Sequence, residues 1–177
     1  RRAATRSHLP AQQLRDRPAV RSSLMTAMGR AYTGLGLPAP AKEVLADALR
    51  DREKVAGATA RSTTETRSAL ASALYLDGQY EAAEKQFRTA LASARRLTPT
   101  GDAMVASILN GLGDSLSQLG SDSEAASVYR EALAIDQRLF GSESLESALM
   151  LQGLGSTLYF AGRYQDVEPL MLRVLAI

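Results

Sequence analysis

The chain is 177 residues long, 45% hydrophobic but only 5% aromatic with no Trp, and carries a formal net charge of +2. That length suits one compact domain or one short repeat array, with Leu and Ala supplying most of the packing. The absence of Cys excludes disulfides, thiolate chemistry and Cys-based metal sites, and makes a reducing, cytoplasmic compartment the expectation.

Residues 1–20 form an Arg-rich leader. Arg1, Arg2, Arg6, Arg15 and Arg17 stand there against Asp16, a balance of +4 that leaves −2 on the remainder. A nucleic-acid footprint would need its basic stripe on the folded body, so nucleic acid is not the expected partner. Arg1-Arg2 lacks the following apolar run of an export signal, and the lone His8 can anchor neither a triad nor a metal site by itself. Pro10 and Pro18 bracket AQQLRDR, a short helix that would cap the first repeat or end an upstream segment. The chain does not start with Met and stops in mid-helix at Ile177; it reads as a piece of something longer.

From residue 21 onward the pattern is helical, in four pairs at about 21–57, 60–98, 102–140 and 144–177. In the first pair, Pro38 and Pro40 follow the turn GLGL, where a helix start tolerates a missing N–H. The second turns at DGQ (77–79). The third shows the pattern best. Val105, Ile108, Leu109, Leu112, Leu116 and Leu119 recur at spacings of three and four, a helical stripe. Gly120 then ends the helix as a C′ residue would, and Ser121 with Glu124 predicts a capping box for the next one. That helix presents Ala125, Val128, Tyr129, Ala132, Leu133 and Ile135 before GSES (141–144) breaks it. The fourth pair turns at AGR (161–163) and ends with Leu172, Val174, Leu175 and Ile177 uncovered. The most apolar window, residues 148–161, is interrupted by Gln152, Ser156, Gly153 and Gly155, and falls short of the roughly 20 apolar residues that span a bilayer.

The pairs are copies. Gly36, Gly78, Gly120 and Gly162 lie 42 residues apart, and the same shift carries Met28 onto Leu70, Leu112 and Leu154, and Ala41 onto Ala83, Ala125 and Val167. A fixed period of this kind predicts an all-α solenoid, an α-α superhelix of four helix-turn-helix repeats. HEAT and armadillo arrays share the period range. GLGDSL (111–116) and GLGSTL (153–158) begin like a dinucleotide-binding G-x-G-x-x-G. They lack its third Gly and its preceding strand, and recur with the period, so they read as packing glycines.

The string VASILNGLGDSLSQLGSDSEAASVYREALAIDQRLFG (105–141) resembles tetratricopeptide repeats (TPR) of the 42-residue kinesin-light-chain type. Leu112-Gly113, Ala125, Tyr129 and Ala132 fall on signature positions, and Leu139-Phe140-Gly141 resembles the inter-repeat L-L-G. The family's His-Pro pair is missing from the loops at 99–103 and 141–145. Residues 15–37 also look like the start of such arrays in bacterial multidomain signalling proteins, among them serine/threonine kinases.

The resemblance implies that the first helix of each repeat lines a concave groove that grips an extended peptide. The candidate groove residues are Ser23, Thr26, Arg30 and Thr33 in the first repeat, and Glu65, Ser68, Ser72 and Tyr75 in the second. They are Ser107, Asn110, Asp114 and Ser117 in the third, then Leu149, Gln152, Ser156 and Tyr159 in the fourth. Asn110 keeps the family's peptide-gripping Asn, and Gln152 approximates it. The implied function is a protein–protein interaction scaffold, a regulatory or docking region of a larger bacterial signalling protein. No enzyme activity, cofactor, metal or membrane partner is expected. The competing reading is a structural spacer or self-association module, a homo-oligomer joined through the C-terminal helix.

Overall fold

The computed structural model describes residues 17–177; the leader features expected at Arg1, Arg2, Arg6, His8, Pro10 and Arg15 lie outside the described residues. Eight helices follow one another: α1 (Pro18–Gly34), α2 (Pro38–Ala56), α3 (Arg61–Leu76), α4 (Tyr80–Leu97), α5 (Ala103–Gln118), α6 (Asp122–Phe140), α7 (Leu145–Phe160) and α8 (Tyr164–Leu175). Each packs against its sequence neighbours. In addition α1 packs closely on α3, α3 on α5 and α5 on α7, whereas the even-numbered helices stand further apart, α4 and α6 meeting through the long side chains of the ion pairs Arg88–Glu124 and Arg95–Glu131. The odd helices are therefore crowded together on the inside of a curve and the even helices splay on the outside. This is the α-α superhelix the period predicts.

The four inner turns share one cause. Gly36, Gly78, Gly120 and Gly162 have φ between 69° and 75°, the left-handed region open to glycine. At each the glycine N–H bonds the carbonyl three residues back, and the next N–H reaches five back, as in Gly120 N–H to Ser117 and Ser121 N–H to Leu116 at 2.9 Å. That is a Schellman motif, and it satisfies carbonyls a helix end would leave orphaned. It also overturns the expected capping box. Ser121 is the N-cap of α6 but makes no side-chain cap bond, its ψ being 52°. Its N–H is already spent on Leu116, so Glu124 has nothing to reach back to. Asp102 and Ser144, with extended backbone, do cap α5 and α7. Pro38 occupies the first turn of α2 as its sequence suggests.

Small residues set the helix spacing. Ala41, Ala83 and Ala125 are fully buried, and Gly29, Gly111, Gly113, Gly153 and Gly155 are in tight contact with large side chains of the even helices. A Cβ on Gly29 would strike Leu45, on Gly111 Phe87, and on Gly155 Met171. Tyr129 lies between two such glycines: a Cβ on Gly113 would come 2.8 Å from its ring, and one on Gly153 2.5 Å. Leu45, Phe87, Tyr129 and Met171 are one position, 42 residues apart.

The core is not uniform. Its main body runs from Ala71 on α3 through to α8 and is built on Phe87, Ile108, Leu109, Leu112, Tyr129, Leu151 and Leu154, while a separate, smaller cluster holds Ala41, Leu45, Leu49, Ala69, Leu70 and Ala73. The residues α1 buries are Ser22, Thr26 and Gly29. Opposite them α3 buries Thr63, Thr64 and Thr66, whose hydroxyls are spent on carbonyls of Gly57, Ala60 and Ser62. Toward α1 they present methyl groups and a single hydroxyl contact, Thr66 to Thr26 at 3.0 Å. The equivalents of Thr66 are Ile108 and Met150, so the joint between the first two repeats buries less apolar surface than the later joints.

Candidate functional site

The inner surface of the curve is a string of hollows. Arg30, Thr33, Ser68, Ala69, Ser72 and Ser107 line the first, of about 240 Å³. A second, of about 280 Å³, shares Ser72 and Ser107 and adds Tyr75, Asn110 and Asp114. The third, of about 320 Å³, takes in Tyr75, Asn110, Asp114 and Ser117 and crosses to Leu149, Gln152, Gly153, Ser156 and Thr157. Shared residues make them one continuous groove across α1, α3, α5 and α7.

Most of the residues expected there are brought together: Arg30, Thr33, Ser68, Ser72, Tyr75, Ser107, Asn110, Asp114, Ser117, Leu149, Gln152 and Ser156 all line it. Four do not. Thr26 is buried, donating to the Ser22 carbonyl at 2.7 Å and meeting the Thr66 hydroxyl at 3.0 Å; it is too short to clear the neighbouring α3. Ser23 lies at the edge, donating to the Ala19 carbonyl and accepting from Arg52 at 3.2 Å. Glu65 sits one turn into α3, 3.7 Å from Arg61. Tyr159 is 54% exposed and packs edge-on against Phe160 and Tyr164, centroids 5.6 and 5.3 Å apart, away from the hollows.

The third hollow holds the groove's chemistry. Tyr129 reaches it from the outer helix α6: its ring is core, and its hydroxyl donates to Asp114 Oδ1 at 2.5 Å. Burial pushes the Asp114 carboxyl above the usual carboxylate range, an effect the Tyr129 bond partly offsets. Burial first, and the Asp114 charge second, push both the Tyr129 and Tyr75 phenols up. Ser117 and Thr157 hydroxyls meet across the floor at 2.7 Å. The Asn110 and Gln152 amides face the space without a hydrogen-bond partner among the described residues. Such a surface can bind by hydrogen bonds and one negative charge.

Sequence reasoning took Tyr129 for core alone. The signal was there: the equivalent position is Phe87 one repeat earlier, and the added hydroxyl appears in the repeat that has Asp114 where its neighbours have Ser72 and Ser156. Among the described residues no helix is long and apolar enough to cross a membrane, and no cluster of three His, Asp or Glu is placed to hold a metal ion.

A stack of antiparallel helix pairs with small residues at the contacts, closed by Schellman turns and lined inside by the first helix of each pair, defines a helical-repeat protein. Models of the tetratricopeptide repeat match residues 63–99 and 104–177, more than half the chain between them, and the chain belongs to the tetratricopeptide-repeat family. Repeats of this family serve as protein–protein interaction scaffolds. Among solved structures, BtubC (BKLC) from P. vanneervenii matches with a TM-score of 0.80 at 23% identity, over 90% of this chain and 63% of that one. A point variant of a Podosopora anserina protein, described as a putative kinesin light chain with nearly identical TPR-like repeats, matches with a TM-score of 0.75 at 20% identity, over 98% of this chain and 77% of that one. A second structure under the same description gives 0.71 at 19% identity, over 93% and 83%. The likeness shows a shared fold. Comparison with curated protein sequences finds no match.

Proposed function

We propose that the chain is a non-catalytic docking scaffold that binds an extended segment of a partner protein along the groove of α1, α3, α5 and α7, as a regulatory region of a larger bacterial signalling protein. The observation that carries this reading is the continuity of the three hollows, floored by side chains whose hydrogen-bonding capacity is not used up internally. An extended backbone offers a donor and an acceptor at every residue, and small hydroxyls with Asn110 and Gln152 can meet them. The span of 63% of BtubC and the resemblance of residues 15–37 support placing this region within a larger protein.

The test compares partners recovered from a bacterial lysate by the intact chain and by an Arg30→Ala, Asn110→Ala, Gln152→Ala variant with an unchanged melt. A partner that the variant loses supports groove binding; a partner retained in full sinks it.

One observation favours a second reading, self-association. Leu145, Leu149, Leu172 and Leu175 are 69, 50, 60 and 83% exposed at one end of the array, more apolar surface than a solvated face normally shows. A monomer mass by light scattering at every concentration up to the millimolar range excludes it.

A further inference from the structure

Ion pairing is otherwise generous in this chain. Asp47, Asp51, Asp77, Asp102, Glu53, Glu84, Glu124, Glu131 and Asp166 each have an Arg or Lys within salt-bridge reach. Asp114 has none among the described residues, although its carboxylate is drawn back from solvent among rings and helices. The other carboxylate raised by burial, Asp136, faces Glu146 and lines none of the hollows described. An unpaired, partly desolvated charge costs stability, and here it faces an open hollow in which it is the only charged side chain.

The repeat register shows that the charge belongs to this position alone. Arg30, Ser72, Asp114 and Ser156 occupy one place on successive inner helices, so a solvated helix face repeated with the period would not put a carboxylate there and a hydroxyl on either side. Its geometry is also fixed from behind. Tyr129 is wedged between Gly113 and Gly153 and spends its hydroxyl proton on Oδ1, which leaves Oδ2 free to accept. Around it stand the Asn110 and Gln152 amide oxygens, the Ser156 hydroxyl and the Tyr75 ring on the rim. A lysine ammonium carries three donors and an arginine guanidinium five, each able to bond carboxylate and amide oxygens together while lying against an aromatic face.

We infer that the hollow between α5 and α7 is a subsite for one basic side chain, lysine or arginine, of the peptide held in the groove, with Asp114 as its counter-charge and Asn110 and Gln152 as its additional acceptors. The inference rests on the groove reading above. It makes the hollow selective by charge: an acidic side chain meets Asp114 unscreened, and a neutral one leaves it unpaired.

The full 177-residue chain, labelled with nitrogen-15, is titrated with three acetylated and amidated pentapeptides, Gly-Ser-X-Ser-Gly with X as Lys, Gln or Glu, while the Asn110 and Gln152 side-chain amide signals are followed by NMR. Asp114→Asn serves as the variant, since its amide oxygen still accepts the Tyr129 hydroxyl; a melt no lower than the parent's certifies its fold. The expected result is saturable movement with the Lys peptide, binding weakened about 10-fold in Asp114→Asn, and weaker effects of the Gln and Glu peptides. Acidification is a second readout. Binding fades as Asp114 is protonated, while Tyr75 on α3 and Tyr129 on α6, the other titratable groups facing it, stay neutral, and α7 contributes none. Equal movement with all three peptides, unaltered by Asp114→Asn, overturns the basic subsite and leaves the groove reading standing. No movement of any groove signal with any peptide overturns both. Saturation by N-acetyl-lysine methylamide as tight as by the Lys peptide overturns the peptide part and assigns the hollow to a free amine.

Discussion

Replacing Gly153 by Ala sets two effects of known size against each other. Ala is favoured over Gly in a helix interior by about 0.8–1.0 kcal/mol, and Gly153 lies in the middle of α7, so propensity alone predicts a gain. The new methyl would fall 2.5 Å from Tyr129 Cε1, 2.7 Å from Cζ and 3.0 Å from Oη, where ordinary contacts begin near about 3.5 Å. The ring must retreat by most of an ångström. It cannot do so freely, because Gly113 closes the other side and Asp114 holds the hydroxyl. Overpacking of a well-filled site costs about 1–3 kcal/mol. The net expectation is a loss of about 1 kcal/mol, or roughly 2–4 °C in melting temperature for a chain of this size. The assay is thermal unfolding followed by circular dichroism on four proteins: the parent, Gly153→Ala, Tyr129→Ala and the double variant. With the ring removed, Gly153→Ala should turn stabilising by about 0.5–1 kcal/mol. Gly34 provides an internal control: nothing lies within 4 Å of its added Cβ, so Gly34→Ala should not lower the melt. A rise in melting temperature for Gly153→Ala in the Tyr129 background refutes the wedge.

Asp114→Asn should stabilise the free protein at neutral pH. The folded-state pKa is raised above the unfolded value of about 3.8, so stability is highest with the carboxyl protonated and is lost as pH rises through the folded value; the variant's advantage should vanish below about pH 4, and an advantage that grows in acid contradicts the sign. Ala125→Leu places three extra carbons at a fully buried contact between α5 and α6 and should lower the melt by about 1–3 kcal/mol equivalent; an unchanged melt argues against that packing. Amide hydrogen exchange should release α1 and α8 first and α5 last, since α8 buries no residue fully and α1 none of its large apolar side chains, whereas α5 buries Val105, Ile108, Leu109, Leu112 and Leu116. Uniform exchange along the array counts against it.

The elements that sequence reveals best here are those fixed by a residue type at a fixed spacing. The inner turns were legible because the left-handed position tolerates little but glycine, and four glycines 42 residues apart leave one interpretation. The packing glycines were legible for a similar reason, as small residues on the inner face of a repeating helix. What escaped depends on which bond a group has already made. Ser121 and Glu124 have the letters of a capping box, but the Schellman turn takes the N–H the box requires. Thr26 sits in the register of Asn110 yet is buried, since a short side chain beside a close neighbouring helix turns into the joint. Tyr129 belongs to the core by pattern and to the groove by the reach of its hydroxyl, a distinction that periodicity does not carry.

The threonine-lined joint gives the molecule two stiffnesses. Beyond it, one packed interior continues from Ala71 on α3 to α8, so a displacement of any helix there is resisted by its packed neighbours. On the near side α1 meets α3 through threonines, and α2 meets α3 through the smaller cluster that the two helices share. Bending therefore concentrates at that joint, and the groove opens or narrows at its Arg30 end while the Asp114 end keeps its shape. On the proposed groove reading, a segment lying along it would be held by a firm jaw at one end and a compliant one at the other. Partner segments that differ in length by a residue or two would then be accommodated on the compliant side, leaving the contacts proposed for the firm side undisturbed.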